Sequence, residues 1–173
     1  VVAGAGGKAF GSGNDISEFA TLRGDAEKVR AYNDITVTAI RALENCRHPT
    51  VARIEGFCLG GGLEIALACD IRLAAPNSIF GLPVKNMGIF LDPALADTLV
   101  NAIGRTAALE LVLEGRFMDA KEAFERRLIT RIADDDCLDA EVAATVDRIC
   151  AGAPLAHRFN KEAIRKVRIE GDE

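Results

Sequence analysis

The sequence predicts an α/β core continued by a helical C-terminal region. Three observations carry that prediction. Up to about residue 82, short apolar segments alternate with glycine-rich turns and helical stretches. Beyond Gly88, apolar residues recur at three- and four-residue steps in one helix-length block after another. Strand–turn–helix units followed by helices in series give a sheet core with a helical extension. The core is expected over residues 1–133 and the helical region over 134–173.

Each element has its own signal. Val1–Ala3 reads as the end of a strand before the turn Gly4–Lys8, and Ala9–Gly13 as a short apolar piece punctuated by glycine. From Asp25 to Cys46, Val29, Tyr32, Thr36, Ala39, Ile40 and Leu43 recur on one face, and His48-Pro49 stops the helix. Thr50–Glu55 reads as a strand, Gly56–Gly62 as a glycine-dense connection and Leu63–Cys69 as a short apolar helix. Asp70–Ala74 is a second strand, Pro76-Asn77 a turn and Ile79–Gly81 a third extended piece. Helices then run through Leu95, Leu99 and Ile103 to Gly104, and through Leu109, Val112 and Leu113 to Gly115. Another follows Asp119, a good N-cap, and Ile129–Ile132 reads as a small strand. Leu138, Val142, Val146 and Ile149 form one more stripe, and Leu155, Phe159, Ala163 and Val167 the last. The last two stripes could pack within one chain or between chains.

Composition narrows the function. Of 173 residues, 49% are hydrophobic and 27% charged, which excludes disordered and low-complexity classes. No apolar run approaches the ~20 residues a membrane span needs. Lys and Arg number 21 against 26 Asp and Glu, for a net charge of −5, and without a dense basic stripe nucleic acid is not the expected partner. Cys46, Cys58, Cys69, Cys137 and Cys150 are odd in number with no CxxC pair, the pattern of reduced thiols in a cytoplasmic protein. His48 and His157 have no partner at metal-ligand spacing, so no metal is expected. No signal peptide is legible; a chain opening Val-Val-Ala is compatible with a fragment.

A few stretches invite a chemical reading. Gly4–Lys8 resembles a phosphate loop only superficially, since Val2 and Ala9 stand where Gly and Ser or Thr are needed. Gly60-Gly61-Gly62 lies between a strand and a helix. It is either a turn that packs the helix on the sheet, or a place where main-chain N–H groups hold an anion or the oxyanion of a reacting carbonyl. Glu64 stands in the first turn of that helix, among Leu63, Ile65, Ala66, Leu67 and Ala68. It either complements the helix dipole or, desolvated and with raised proton affinity, acts as a general acid or base. Gly11–Asp15 is a flexible turn with Asp15 as a plausible N-cap. Asp92-Pro93 opens a helix as N-cap and N1, and the apolar approach Gly88–Leu91 lets Asp92 also face a pocket.

In this order the pieces resemble the enoyl-CoA hydratase/isomerase, or crotonase, superfamily over nearly the whole chain. Lys8-Ala9-Phe10-Gly11-Ser12-Gly13-Asn14-Asp15-Ile16 is similar to its first signature. Pro49–Gly56 followed by Leu59–Arg72 is similar to the second, the longer and more specific match. Phe80-Gly81-Leu82-Pro83, Gly88 and Ile103-Gly104-Arg105 continue the register. The resemblance implies a spiral of ββα units with a C-terminal helical region that builds trimers, often paired as hexamers. It implies an acyl-CoA thioester as substrate, with coenzyme A entering as part of the substrate and no separate cofactor. It also implies that backbone N–H groups of Asn14 and Gly61 hold the thioester oxygen and stabilise an enolate, while Ala9, Gly13, Asp15, Ile16, Gly60 and Val84 line the substrate. Family chains are longer, by an N-terminal strand pair and loop and by the end of the C-terminal helix.

The catalytic positions depart from the commonest pattern. A hydratase of this family uses two glutamates around one water. The first falls on Glu64; the second falls on Val84, which moves no proton. Four residues after Gly88 several family isomerases carry a catalytic carboxylate, as do some thioester hydrolases and a dehalogenase. Here that residue is Asp92. Glu64 with Asp92 is therefore expected to shift a double bond. Hydration, thioester hydrolysis and non-catalytic acyl-CoA binding stand as alternatives.

Overall fold

The structure, a computed structural model, describes residues 1–15, 17 and 26–167. Strands β1 (Val2–Ala3) and β2 (Ala9–Gly11) precede helix α1 (Ala26–Glu44). Then come β3 (Val51–Ile54), β4 (Phe57–Leu59), α2 (Gly61–Ala68), β5 (Ile71–Ala74) and β6 (Ile79–Gly81). A 3-10 turn at Val84–Met87 leads to α3 (Pro93–Ile103) and α4 (Arg105–Glu114). The chain continues through β7 (Phe117–Asp119), α5 (Ala120–Glu125), β8 (Arg131–Ile132), α6 (Leu138–Cys150) and α7 (Pro154–Lys166).

The strands form two four-stranded sheets, ordered β1-β3-β5-β8 and β2-β4-β6-β7. All pairs are parallel except β6 with β7. Each consecutive strand pair, β1 to β2, β3 to β4 and β5 to β6, steps from the first sheet to the second, and a helical segment returns the chain. That is a ββα repeat wound into a spiral. The main core contains Ile54, Cys58 and Phe80 from the sheets, and Leu63, Ala66 and Leu67 from α2. Among the described residues no helix is long and apolar enough to cross a membrane. Cys58 and Cys69 lie in the core, where burial pushes both thiols up.

Several expectations shift in detail. Gly56–Gly62, read as a connection, contains β4: only three residues long, it is defined by its ladders to β2 and β6 rather than by local propensity. β7 went unread for the same reason; Asp119 ends it and also caps α5, accepting the Glu122 N–H at 2.8 Å. The small strand read at Ile129–Ile132 shortens to Arg131–Ile132.

The two C-terminal helices use opposite faces. Leu138 and Val142 of α6 bury their stripe against Val51 and Leu73 of the first sheet. α7 turns its charges inward. Lys161 Nζ lies 2.7 Å and an Arg165 amine 2.9 Å from the Asp70 carboxylate, which also accepts the Thr50 N–H at 2.8 Å. Burial works against the Asp70 charge, but the Lys161 and Thr50 donors outweigh it and hold its carboxyl below the usual range. Of the stripe Leu155, Phe159, Ala163 and Val167, the first three are exposed on α7 and Val167 is exposed just past its end.

Candidate active site

Two chain segments meet face to face to build the site. One is the end of β2 and the turn after it, Gly11–Asn14; the other is the start of α2. Gly62 allows the approach: a Cβ there would sit 2.2 Å from the Gly11 carbonyl oxygen, so only glycine fits. Gly60 turns the chain with φ 53°, spends its own N–H on the Gly81 carbonyl at 2.9 Å, and offers no side-chain cap to α2. The first N–H groups of a helix have no partner inside it. A Cβ on Gly61 would stand 3.1 Å from Asn14 Oδ1, and one on Gly13 would stand 3.3 Å from the Gly61 nitrogen. The Asn14 and Gly61 segments are thus in direct apposition.

These segments form one wall of a cleft of about 400 Å³, within the range of small-molecule sites. Gly13, Asn14, Gly60, Gly61, Glu64, Val84 and Asp92 all line it. Of the other sequence-nominated residues, Ala9 lies within β2, paired to Phe57, and is not a lining residue. Asp15 is likewise outside the lining; its Oδ1 accepts from the Ser17 N–H at 2.9 Å and the Ser17 hydroxyl at 2.7 Å. Ile16 lies outside the described residues.

The two acids are held differently. Glu64 is half-buried on α2. Burial holds its carboxyl above the usual range, and the charges of Asp92 and then Glu44 push in the same direction. The desolvation expected from its apolar neighbours is present; the like-charge contributions come from distant parts of the chain. Asp92 caps α3. Its Oδ1 accepts the Ala94 N–H at 2.8 Å, with Pro93 in the first helical turn.

Sequence reasoning missed the lining from α1. Tyr32, Asn33, Thr36 and Val37 face the cleft, and the Thr36 hydroxyl donates to the Tyr32 carbonyl at 3.1 Å. Tyr32 and Thr36 belong to the stripe that recurs on one face of the helix, and their polarity within it is the signal that could have marked a cleft wall. The opposite wall is apolar, with Leu82, Pro83, Val84, Met87 and Ile89, and Phe90 stands at its rim, 95% exposed. The arrangement can hold a carbonyl oxygen on main-chain donors and present two carboxylates beside it, with an apolar surface opposite.

Residues 1–170 match the family model described as enoyl-CoA hydratase/isomerase. A protein described as a probable enoyl-CoA hydratase of Mycobacterium bovis is 36% identical over 160 residues, covering 92% of this chain and 61% of that protein. A short-chain-enoyl-CoA hydratase of Clostridium acetobutylicum is 31% identical over 166 residues, covering 96% of this chain and 63% of its own. Among solved structures, an enoyl-CoA hydratase/carnithine racemase from Magnetospirillum magneticum superposes with a TM-score of 0.91 at 47% identity, over 95% of this chain and 61% of that one. The chain thus spans less than two thirds of the length of these relatives.

Proposed function

Since the chain belongs to the enoyl-CoA hydratase/isomerase family, we propose that its cleft takes an acyl-CoA thioester and shifts a double bond by proton transfer beside the carbonyl. The observation that carries this reading is the pairing of Glu64 and Asp92 in one cleft, with Val84 on the apolar wall. In the reaction, the Asn14 and Gly61 N–H groups receive the thioester oxygen. Asp92 removes a proton from the carbon next to the carbonyl. The electron pair of that C–H bond moves onto the oxygen, forming an enolate that the two donors stabilise. Glu64 then delivers its proton to the far end of the conjugated system. The roles follow the environments: raised proton affinity keeps a proton on Glu64 to higher pH than an ordinary glutamate, and Asp92 is anchored by its cap while retaining a second carboxylate oxygen. One oxyanion donor contributes about 3–4 kcal/mol to such a step.

A second reading is hydration of an enoyl-CoA, and the hydratase names of the relatives favour it. Glu64 and Asp92 would then hold the attacking water between them. The same reading extends to assembly: the exposed apolar face of α7 suits a homotrimer or hexamer, which light scattering after size-exclusion chromatography tests. The chemical test offers the protein 3-enoyl-CoA and, separately, 2-enoyl-CoA, with products followed by mass spectrometry. Unchanged mass with a moved double bond is expected. A gain of one water would replace isomerisation by hydration, and release of free CoA would replace both by hydrolysis.

A further inference from the structure

The large apolar side chain most open to solvent among the described residues stands on the cleft. Phe90 is 95% exposed, against 73% for the next, Ile164 of α7. A single exposed apolar residue calls for no explanation. Phe90 differs because it continues a surface. Leu82 is buried, Val84, Met87, Ile89 and Leu91 are half-buried, and all of them line the cleft with Phe90. The wall thus runs from the core to the rim, and at the rim a whole ring stands in water.

The chain on either side keeps the ring there. Before it, Gly88 turns with φ 63° and the Ile89 N–H donates to the Val84 carbonyl at 3.1 Å. After it, Leu91 packs on the main core and Asp92 caps α3. Both neighbours are anchored, and Phe90 is held outward between them. From across the cleft α1 presents Tyr32, Asn33 and Thr36. The cleft is therefore apolar on one side, and that side is continuous to its edge.

A ligand covers such a wall when it carries a hydrocarbon arm. In an acyl-CoA thioester whose carbonyl oxygen goes to the Asn14 and Gly61 N–H groups, that arm is the acyl chain. Each CH₂ taken out of water favours binding by up to about fourfold. An arm too short to reach the rim leaves Phe90 wet and forgoes the gain. We propose that Phe90 is a specificity-determining residue: the tail of the acyl group lies over its ring, and the cleft prefers thioesters whose chains extend from the oxyanion donors to the rim over short ones. This inference rests on the acyl-CoA reading of the cleft. It is indifferent to whether a double bond moves, water adds or the thioester is cleaved.

The test measures binding by calorimetry with butanoyl-, octanoyl- and dodecanoyl-CoA, each below its micelle-forming concentration, and with CoA alone. It compares wild type, Phe90→Ala and Phe90→Leu. Wild-type affinity is expected to rise from butanoyl- to dodecanoyl-CoA. In Phe90→Ala the loss is expected to grow with chain length, several-fold for dodecanoyl-CoA and least for CoA alone, and Phe90→Leu is expected to recover part of it. With the ring so open, neither variant should lower the melting temperature. Three results overturn the proposal. One is a wild-type affinity that does not rise with chain length. Another is an equal loss for every ester and for CoA alone, which assigns the ring to the CoA moiety. The third is the same chain-length gain in wild type and Phe90→Ala; a changed oligomeric state by light scattering beside it assigns the ring to a second copy. In all three the acyl-CoA reading stands. That reading falls, and the role of Phe90 with it, if wild type binds no ester more tightly than CoA alone.

Discussion

Two helices open onto the same cleft, and they open in contrasting ways. α2 begins behind Gly60, with no side chain over its first N–H groups. α3 begins behind Asp92, whose Oδ1 accepts the Ala94 N–H at 2.8 Å. The first N–H groups of a helix need an acceptor from outside it, a side chain, a ligand or water. In α3 the protein supplies the acceptor and gains a carboxylate fixed at the cleft. In α2 no side chain of the described residues supplies one, and Gly61 lines the cleft. The difference is between a helix start closed by its own carboxylate and one without a side-chain cap.

The most disruptive way to break this contrast is Gly62→Ala. The new methyl meets the Gly11 carbonyl oxygen at 2.2 Å, and strain of this kind typically destabilises by about 1–3 kcal/mol or more. A large fall in melting temperature together with loss of CoA-ester binding is expected; a normal melt would mean that the β2–α2 apposition is looser than described. Asp92→Asn sharpens the contrast, because the amide oxygen still caps α3 while the acid is gone. Turnover should drop by roughly 10²–10⁴ with CoA-ester binding nearly unchanged, and equal turnover would remove Asp92 as the base.

Glu64→Gln should lose turnover to a similar degree and yet melt at a higher temperature at neutral pH. The sign follows from its environment. A carboxyl whose folded proton affinity is raised contributes stability that is fully present below its unfolded pKa. That contribution is lost as pH rises through the folded value. Gln removes the charge and with it the loss, so wild type and variant should converge in acid; a gain that persists unchanged there would contradict this origin. Smallest is Asp119→Ala, a cap of the Asp92 kind with its bond to the Glu122 N–H but no place in the cleft. It should destabilise by about 1 kcal/mol and leave turnover untouched, as thermal melts beside steady-state rates would reveal.

What was legible in the sequence was local. Gly60-Gly61-Gly62, Glu64 and Asp92-Pro93 each announce a helix start within a few residues, and the helices that follow stand where the three- and four-residue spacing put them. The two sheets were harder. β4 and β7 are three residues each, too short for periodicity, and exist through partners up to forty-eight positions away. Tyr32 and Thr36 were legible as sharing one side of a helix, but spacing does not report what lies opposite that side.

The ladder spacing in the two sheets has a consequence for the order of assembly. Val51 pairs with Ile71, twenty positions on, and Phe57 with Ile79, twenty-two positions on. Val2 must find Ala52 across fifty positions, and Leu73 must find Arg131 across fifty-eight. Closing short loops sacrifices less chain entropy and is faster. The stretch from β3 to β6, which contains α2, is therefore the favoured nucleus, and the strand that brings Asn14 docks onto it afterwards. A pulse-labelling hydrogen-exchange experiment would see the amides of β3 to β6 protected before those of β1 and β2. The start of α2 is in place before the Asn14 segment, which shares its wall of the cleft, packs against it.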